Sequence, residues 1–488
     1  MCNRSKLTNN VDCLILGAPD RIGYKDTLEN IRLHYPKCSF LFDKTTDNIL
    51  DQNKEYVNYY YPEILYQCVS LVDALRCEGI SAEYLIDADI GLLEQQFKYK
   101  QFKYIIINGN YFSSIYQYQK IIRTIRKHNS YYKIIIGGTF ITNLCKNVSK
   151  REKFLLLKLI AADAFVPLYS STDVITTIIK AWMKEGTLDG VPHVYYVKDG
   201  KYRQSASERP EQEREYAIDW SRYQEHLGPV VSLKITQNCC FSCSFCAIKS
   251  DSEKFTLLDL NITEKELKNL DRIDKVQTIF IPDETVNYPE HHFMKYLQIL
   301  CQNKFHFNWI GYVRCQFITP QIIPLLIKSK CKAVYLGIES GSNDILQNMN
   351  KGTTTTEMKY GHQLLRRSGI LTCAIFIIGF PGETRETIEK TIGFINDLQP
   401  SFYILRRWDC VEGTKIWDQR HQYNIRKYNN EWIHETMSSQ EADMYVDWIP
   451  SQVEGAVNIT DMDTLILFQL MNDGLDYQSV KKIISKGR

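Results

Sequence analysis

The chain has 488 residues, of which 44% are apolar, 24% charged and 12% aromatic; that composition excludes a disordered or fibrous protein and leaves room for two or three domains. Lys and Arg number 59 against 57 Asp and Glu, a formal charge of +2, so no basic field points to nucleic acid. The 15 cysteines are scattered along a long chain, unlike a compact secreted disulfide framework, and most are expected to be reduced thiols.

No window approaches the roughly 18 apolar residues of a membrane span. The opening Met1-Cys2-Asn3-Arg4-Ser5-Lys6 lacks the apolar run of a signal peptide. The expectation is a cytoplasmic protein without a membrane partner.

In chain order, Val11 to Gly17 reads as a first strand, Leu65 to Gly79 as a helix closed by glycine, and Ser81 to Ile86 as a strand. Tyr104 to Ile107 and Lys133 to Ile136 are two further β-rich runs. The alternation predicts a mainly parallel sheet covered by helices. Asn108-Gly109-Asn110 and Gly137-Gly138 close the last two strands, and in open α/β sheets ligands bind beyond the strands' carboxyl ends. Plain chain reversal is the other role open to these glycines.

From Thr187 to Arg214, with Asp189-Gly190, Asp199-Gly200 and the charged run Glu208 to Arg214, the pattern lapses into linker chemistry. Strands resume near Val231–Ile235, Thr278–Ile281, Trp309–Val313, Ala333–Leu336, Cys373–Ile378 and Phe402–Leu405. With helical stretches between them, they predict a barrel or partial barrel. Beyond Gly413 come a Tyr-, Asn- and Trp-rich segment and an amphipathic tail from Asp463 to Ile484.

After the first strand of this second half stands Thr236-Gln237-Asn238-Cys239-Cys240-Phe241-Ser242-Cys243-Ser244-Phe245-Cys246. Cys239, Cys243 and Cys246 have the spacing C-x3-C-x2-C, and three thiolates on one loop can ligate three irons of a [4Fe-4S] cube. The fourth iron is then open to the amino and carboxylate groups of S-adenosylmethionine (SAM), whose S–C bond an electron from the cluster can break to give a 5′-deoxyadenosyl radical. The alternatives are a zinc knuckle with Cys240 as fourth ligand, incidental buried cysteines, or an iron-sulfur electron carrier.

At this point the chain resembles the radical SAM superfamily. Phe245 matches the family's aromatic residue near the adenine. Ile281-Pro282-Asp283-Glu284 resembles the acidic motif at the methionine end of the cofactor. Gly337-Ile338-Glu339-Ser340-Gly341 is similar to the strand-end motif near the ribose, and Ile378-Gly379-Phe380-Pro381-Gly382-Glu383-Thr384 to the glycine-rich motif on the fifth strand. The resemblance implies SAM contacts from Phe245, Asp283, Glu284, Glu339, Ser340, Gly379 and Glu383; carboxylates and glycines at strand ends suit hydroxyls, an ammonium and close backbone approach. Arg314, ending the third strand, is a candidate for a cofactor or substrate carboxylate, or for an ion pair within the barrel.

Placed before such a barrel, the first domain is similar to the cobalamin-binding domain of the B12-dependent radical SAM group, with Asn108, Gly109, Gly137 and Gly138 at its ligand end. Ala161 to Val166 follows the same strand order, and Asp219-Trp220 matches a pair found on the approach to the cluster. The sequence departs from the group in lacking Asp-x-His-x-x-Gly and in having Pro167-Leu168-Tyr169-Ser170 where a Gly-Glu-rich turn is usual. Cobalamin is then bound with no protein ligand to cobalt, or the fold is kept without it.

The implied architecture is α/β: a doubly wound cobalamin-binding-like domain (1–186), a linker (187–228), a partial (β/α)6 radical SAM barrel (229–415) and a C-terminal substrate or auxiliary region (416–488). With cobalamin, the resemblance implies methylation of an unactivated carbon or phosphorus. Without it, a radical modification such as peptide epimerisation is implied, with Cys410 as hydrogen-atom donor and Cys373 as a weaker, core-placed candidate. Trp432-Ile433-His434-Glu435-Thr436-Met437 resembles a segment of natural-product members, pointing to a peptide or secondary metabolite, with His434 as proton donor, substrate contact or core residue. A reductant such as flavodoxin or ferredoxin is the expected partner.

Overall fold

The computed structural model describes residues 10–18, 62–87, 90–110, 112, 114–146, 148–168, 171–205, 217–248, 254–428, 430–460, 471 and 476–487. The chain divides into two compact units, the boundary falling between Asp219 and Trp220.

In the first unit, strands β1 (Cys13–Ala18), β2 (Ala82–Asp87), β3 (Tyr104–Asn108), β4 (Lys133–Gly137), β5 (Ala164–Val166), β6 (Tyr195–Lys198) and β7 (Lys201–Gln204) form one sheet in the order β2-β1-β3-β4-β5-β6-β7. The first five are parallel and the last two antiparallel. Ile105-Ile106-Ile107 and Ile134-Ile135-Ile136 are wholly buried, because helices cover both faces of a doubly wound sheet and its strands are unbroken apolar runs. Strand order reverses between β1 and β3, the switch point where such sheets bind ligands.

Part of the stretch assigned above to a linker is folded. Tyr195–Lys198 and Lys201–Gln204 pair as a hairpin closed by Asp199 and Gly200, with φ of 51° and 70°. Asp-Gly with both φ positive is a hairpin turn matched to strand twist. The composition reading missed it because the flanking strands are short and carry little apolar alternation. The charged run 208–214 and Tyr169-Ser170 lie outside the described residues.

The second unit begins with β8 (Val230–Ser232), β9 (Thr236–Gln237), β10 (Thr256–Leu257), β11 (Thr278–Ile281), β12 (Asn308–Val313), β13 (Cys331–Glu339), β14 (Leu371–Ile378) and β15 (Phe402–Arg407). Six of these make a parallel sheet in sequential order β8-β11-β12-β13-β14-β15, the winding of a barrel rather than of a switch-point sheet. Phe280, Ile310, Tyr335, Cys373 and Phe402 pack one of its apolar layers.

The C-terminal region adds an antiparallel sheet of β16 (Arg426–Tyr428), β17 (Glu431–His434) and β18 (Met437–Ser438), a helix over Ser439–Trp448, and β19 (Val457–Asn458). β19 pairs in parallel with β15, so this region supplies a seventh strand to the barrel sheet. Of the amphipathic tail, 463–470 and 472–475 lie outside the described residues; the rest includes most of a helix over Tyr477–Gly487.

Candidate functional site

The residues singled out in the second half gather where β8 and β11–β15 end. The cysteine loop leaves β9 and returns through β10, whose two-residue ladder (Thr236 with Leu257, Gln237 with Thr256) closes it. Its middle is tied down from outside: Ser244 N–H donates to Met349 O at 2.8 Å and Ile416 N–H to Ser244 O at 3.0 Å. The Ser244 hydroxyl donates to Asn348 O at 2.9 Å.

Cys239, Cys243 and Cys246 are half-buried free thiols. Burial pushes the Cys246 thiol up to about 11, with Cys243, Cys239 and Glu284 as negative neighbours. Burial likewise raises Cys239, beside Glu284 and Cys243. Thiols crowded with a carboxylate in this way ionise together when a cationic centre compensates them. Three thiols on one loop suit a [4Fe-4S] cube, which takes one thiolate at each of three irons.

Arg314 follows β12 and stands against this loop. Its backbone is pinned by Asn287, which accepts from Arg314 N–H and donates to Arg314 O, both at 2.9 Å. The guanidinium lies 3.8 Å over the Phe241 ring, donates through Nη2 to Lys351 O at 2.5 Å, and has the same nitrogen 3.8 Å from Cys243 Sγ.

Asp283 and Glu284 follow β11. Asp283 Oδ2 accepts from Ile235 N–H (2.9 Å), Thr236 N–H (2.6 Å) and the Thr236 hydroxyl (3.1 Å), holding the start of the cysteine segment. Burial lifts its carboxyl to about 6. Asp283 Oδ1, Glu284 Oε2, Arg314 Nη1 and Glu383 Oε1 are buried without a hydrogen-bond partner among the described residues. Orphaned donors and acceptors at that depth are costly unless a ligand meets them, and this mixed set fits a zwitterionic, hydroxyl-rich molecule such as SAM.

Glu339 ends β13 with φ of 67° and forms a buried ion pair with Lys351 Nζ at 2.6 Å. Lys351 Nζ also stands 6.0 Å from the centre of the Phe245 ring. Ser340 is engaged elsewhere: its hydroxyl accepts from Ser342 N–H at 3.1 Å and meets Thr391 Oγ1 at 3.4 Å, so it builds the turn into the following helix. Glu383 is fully buried, accepts from Gly379 N–H at 2.5 Å through Oε2, and is lifted by burial to about 8.

In the first unit, Asn108, Gly109, Gly137 and Gly138 end β3 and β4. Asn108 Nδ2 donates to Cys68 Sγ at 3.3 Å; Asn110 Oδ1 accepts from Thr139 N–H at 2.8 Å. A Cβ at Gly109 would stand 2.5 Å from Gly137 O and from Tyr118 Oη, and one at Gly138 2.6 Å from Asn110 Oδ1. These glycines are therefore demanded by packing within the turn.

Cys410 is buried, 1% exposed, and pushed up by burial to about 11, with Lys427, Asp409 and Glu412 as its charged neighbours. Cys373 is wholly buried in β14, a core position. Asp219 N–H donates to Asp73 Oδ2 at 2.7 Å, and Trp220 is fully buried at the start of a turn of 3-10 helix. Lys351, Asn287 and Phe241 escaped the sequence reading; only Phe241, inside the cysteine segment, carried a signal by position.

Residues 233–395 match the family described as the Radical SAM superfamily. An uncharacterized methyltransferase of Pyrococcus horikoshii, PH0819, is 21% identical over 63% of this chain and 67% of its own length. The ribosomal protein uS12 methylthiotransferase RimO of Desulforamulus reducens is 26% identical over 45% of this chain and 53% of its own. Among solved structures, the radical SAM methyltransferase TsrM from Kitasatospora setae, with cobalamin and a [4Fe-4S] cluster bound, has a TM-score of 0.64 at 14% identity. That match covers 84% of this chain and 78% of TsrM. The cobalamin-dependent SAM radical enzyme OxsB, with aqua-cobalamin and SAM bound, gives 0.61 at 15% identity over 95% of this chain and 67% of its own.

Proposed function

Residues 233–395 match the radical SAM superfamily and the chain is an enzyme, and from that premise we propose that it is a cobalamin-dependent methyltransferase acting on an unactivated carbon of a peptide or secondary metabolite. The observation that carries this reading is the reach of the fold likeness: it extends over 84% of the chain for TsrM and 95% for OxsB, and so over the first unit as well as the barrel. TsrM and OxsB are described with cobalamin bound.

Cys239, Cys243 and Cys246 would hold the cluster and leave one iron for SAM. Asp283, Glu284, Arg314, Glu339, Gly379, Glu383 and Phe245 would hold SAM at the strand ends. Asn108, Gly109, Gly137 and Gly138 end β3 and β4 beside the β1/β3 switch point, the end at which this reading would seat cobalamin. Asn108 and Asn110 are engaged with Cys68 and Thr139, so this turn would offer cobalamin its backbone. When bound, the cluster and SAM supply reductive S–C cleavage, and cobalamin supplies a transferable methyl group.

What the chain itself does is position and insulate. Arg314 sets a fixed cation 3.8 Å from Cys243 Sγ. Glu383, lifted to about 8, is a neutral carboxylic acid at pH 7, able to donate through the oxygen that Gly379 leaves untouched. The Glu339–Lys351 pair keeps one carboxylate oxygen occupied and the other open to a hydroxyl. A flavodoxin- or ferredoxin-class protein is the reductant this reading needs.

Purification without oxygen from cells supplied with cobalamin, followed by a cobalt assay and incubation with methyl-deuterated SAM, tests the proposal. One cobalt per chain and a labelled methyl group on a peptide or metabolite are expected. A cluster-loaded protein that takes up no cobalt would overturn it.

A further inference from the structure

The C-terminal antiparallel sheet reaches back onto the glycine turn that follows β14. His434 Nε2 is 3.0 Å from Gly379 O, while its Nδ1 is 3.4 Å from Thr436 N and 3.2 Å from Thr436 Oγ1. A carbonyl only accepts and a backbone N–H only donates, so the ring carries its proton on Nε2 and accepts at Nδ1. Burial depresses its basicity, consistent with that neutral tautomer. Both ring nitrogens are thereby committed to the backbone and to Thr436, which leaves neither for proton transfer to a substrate.

The other backbone group of Gly379 is held as well, its N–H by Glu383 at 2.5 Å. The third hold is steric. Gly379 has φ of 88°, and a Cβ there would lie 2.6 Å from Trp432 Cη2 and from Ala442 Cβ.

Trp432 stacks on His434 with ring centres 5.1 Å apart and planes at 6°, and its Nε1–H donates to Trp408 O at 2.9 Å. From there the rings run on: Trp432 to Trp408 at 4.9 Å, Trp408 to Phe380 at 5.6 Å, Phe380 to Phe245 at 6.4 Å. A continuous aromatic wall thus joins β17 to the residue next to Cys246.

We infer that His434, oriented by Thr436, is a positioning residue for SAM: with Trp432 it holds the Gly379 turn and the aromatic wall ending at Phe245 in the conformation that receives the cofactor. This rests on the radical SAM reading and assigns the Trp432–Met437 segment to cofactor affinity instead of substrate chemistry. A histidine that only filled the core would affect stability without a selective effect on SAM.

The test is equilibrium dialysis of radiolabelled SAM against the full chain with its cluster reconstituted and oxidised, so that no SAM is consumed. Variants are His434→Ala, His434→Gln and Thr436→Val, each with iron content measured. An orphaned buried carbonyl predicts a roughly tenfold weaker SAM Kd for His434→Ala at unchanged iron content. His434→Gln, whose amide N–H reaches the same carbonyl, should recover most of it, and Thr436→Val should weaken binding a few-fold. In turnover the loss should fall on KM for SAM and spare kcat.

His434→Ala binding SAM within twofold of wild type, or Gln rescuing no better than Ala, would overturn the inference. Should His434→Ala not fold, Thr436→Val decides: wild-type affinity there overturns it, and a selective loss of affinity with Gln near wild type supports it. Wild-type protein that carries iron yet binds no SAM would sink the radical SAM reading itself, and this inference with it.

Discussion

Glu383 gives the most quantitative expectation. Its carboxyl is wholly buried and lifted from 4.5 to about 8, chiefly by desolvation, which penalises the charged form. The folded state therefore holds a proton that the unfolded chain releases near 4.5. Stability from this group is complete below that value and is lost as pH rises towards 8. At about 1.4 kcal/mol per pH unit, the loss between pH 5.5 and 8 is on the order of 3 kcal/mol. Glu383→Gln keeps the acceptor for Gly379 N–H and removes the titration. With roughly 2–4 °C of Tm per kcal/mol for a domain of 150–250 residues, the variant should gain on wild type by about 6–12 °C over that range. Thermal scans of both proteins without SAM, from pH 5.5 to 8.5, measure it. Parallel profiles would refute the reasoning, since they require an ionised or solvated Glu383.

Three further outcomes follow from the packing. Lys351→Met strands Glu339 as an uncompensated buried charge and should cost about 3–5 kcal/mol in denaturant unfolding; adding Glu339→Gln should recover much of it. Gly379→Ala places a methyl against Trp432 and Ala442 at a positive φ, and a Tm drop equivalent to at least about 2 kcal/mol is expected. Gly361→Ala drives a Cβ into Cys315 O, beside Arg314. A loss of about 1–3 kcal/mol with lower iron retention is expected, and unchanged stability would mean that the Thr355–Arg367 helix yields.

How much of this was legible in the sequence differs between elements for physical reasons. Thr278–Ile281 was readable to the residue because a fully buried parallel strand is an unbroken apolar run bounded by polar residues. β13 runs longer than the Ala333–Leu336 core visible in sequence, to Cys331–Glu339, because a lysine near its start and a glycine and a glutamate near its end break the apolar pattern. The hairpin at Asp199-Gly200 was mistaken for a linker since the same dipeptide serves both. The cysteine triad stands out in the sequence because its spacing is itself the proposed chemistry. Lys351 was not: nothing in Met349-Asn350-Lys351-Gly352 marks a lysine whose partner lies 12 residues earlier on a strand end. Ser340 illustrates the reverse, a residue in the right motif whose hydroxyl faces the Thr391 helix.

The central claim is a site-differentiated [4Fe-4S] cluster held by Cys239, Cys243 and Cys246. Its most direct test is iron and sulfide analysis of the anaerobically reconstituted chain, with EPR of the reduced cluster before and after SAM is added. Four irons per chain in wild type, a SAM-dependent change of the EPR signal, and loss of both in the triple cysteine-to-alanine variant are predicted. Iron retained by that variant, or a cluster whose signal ignores SAM, would contradict the account.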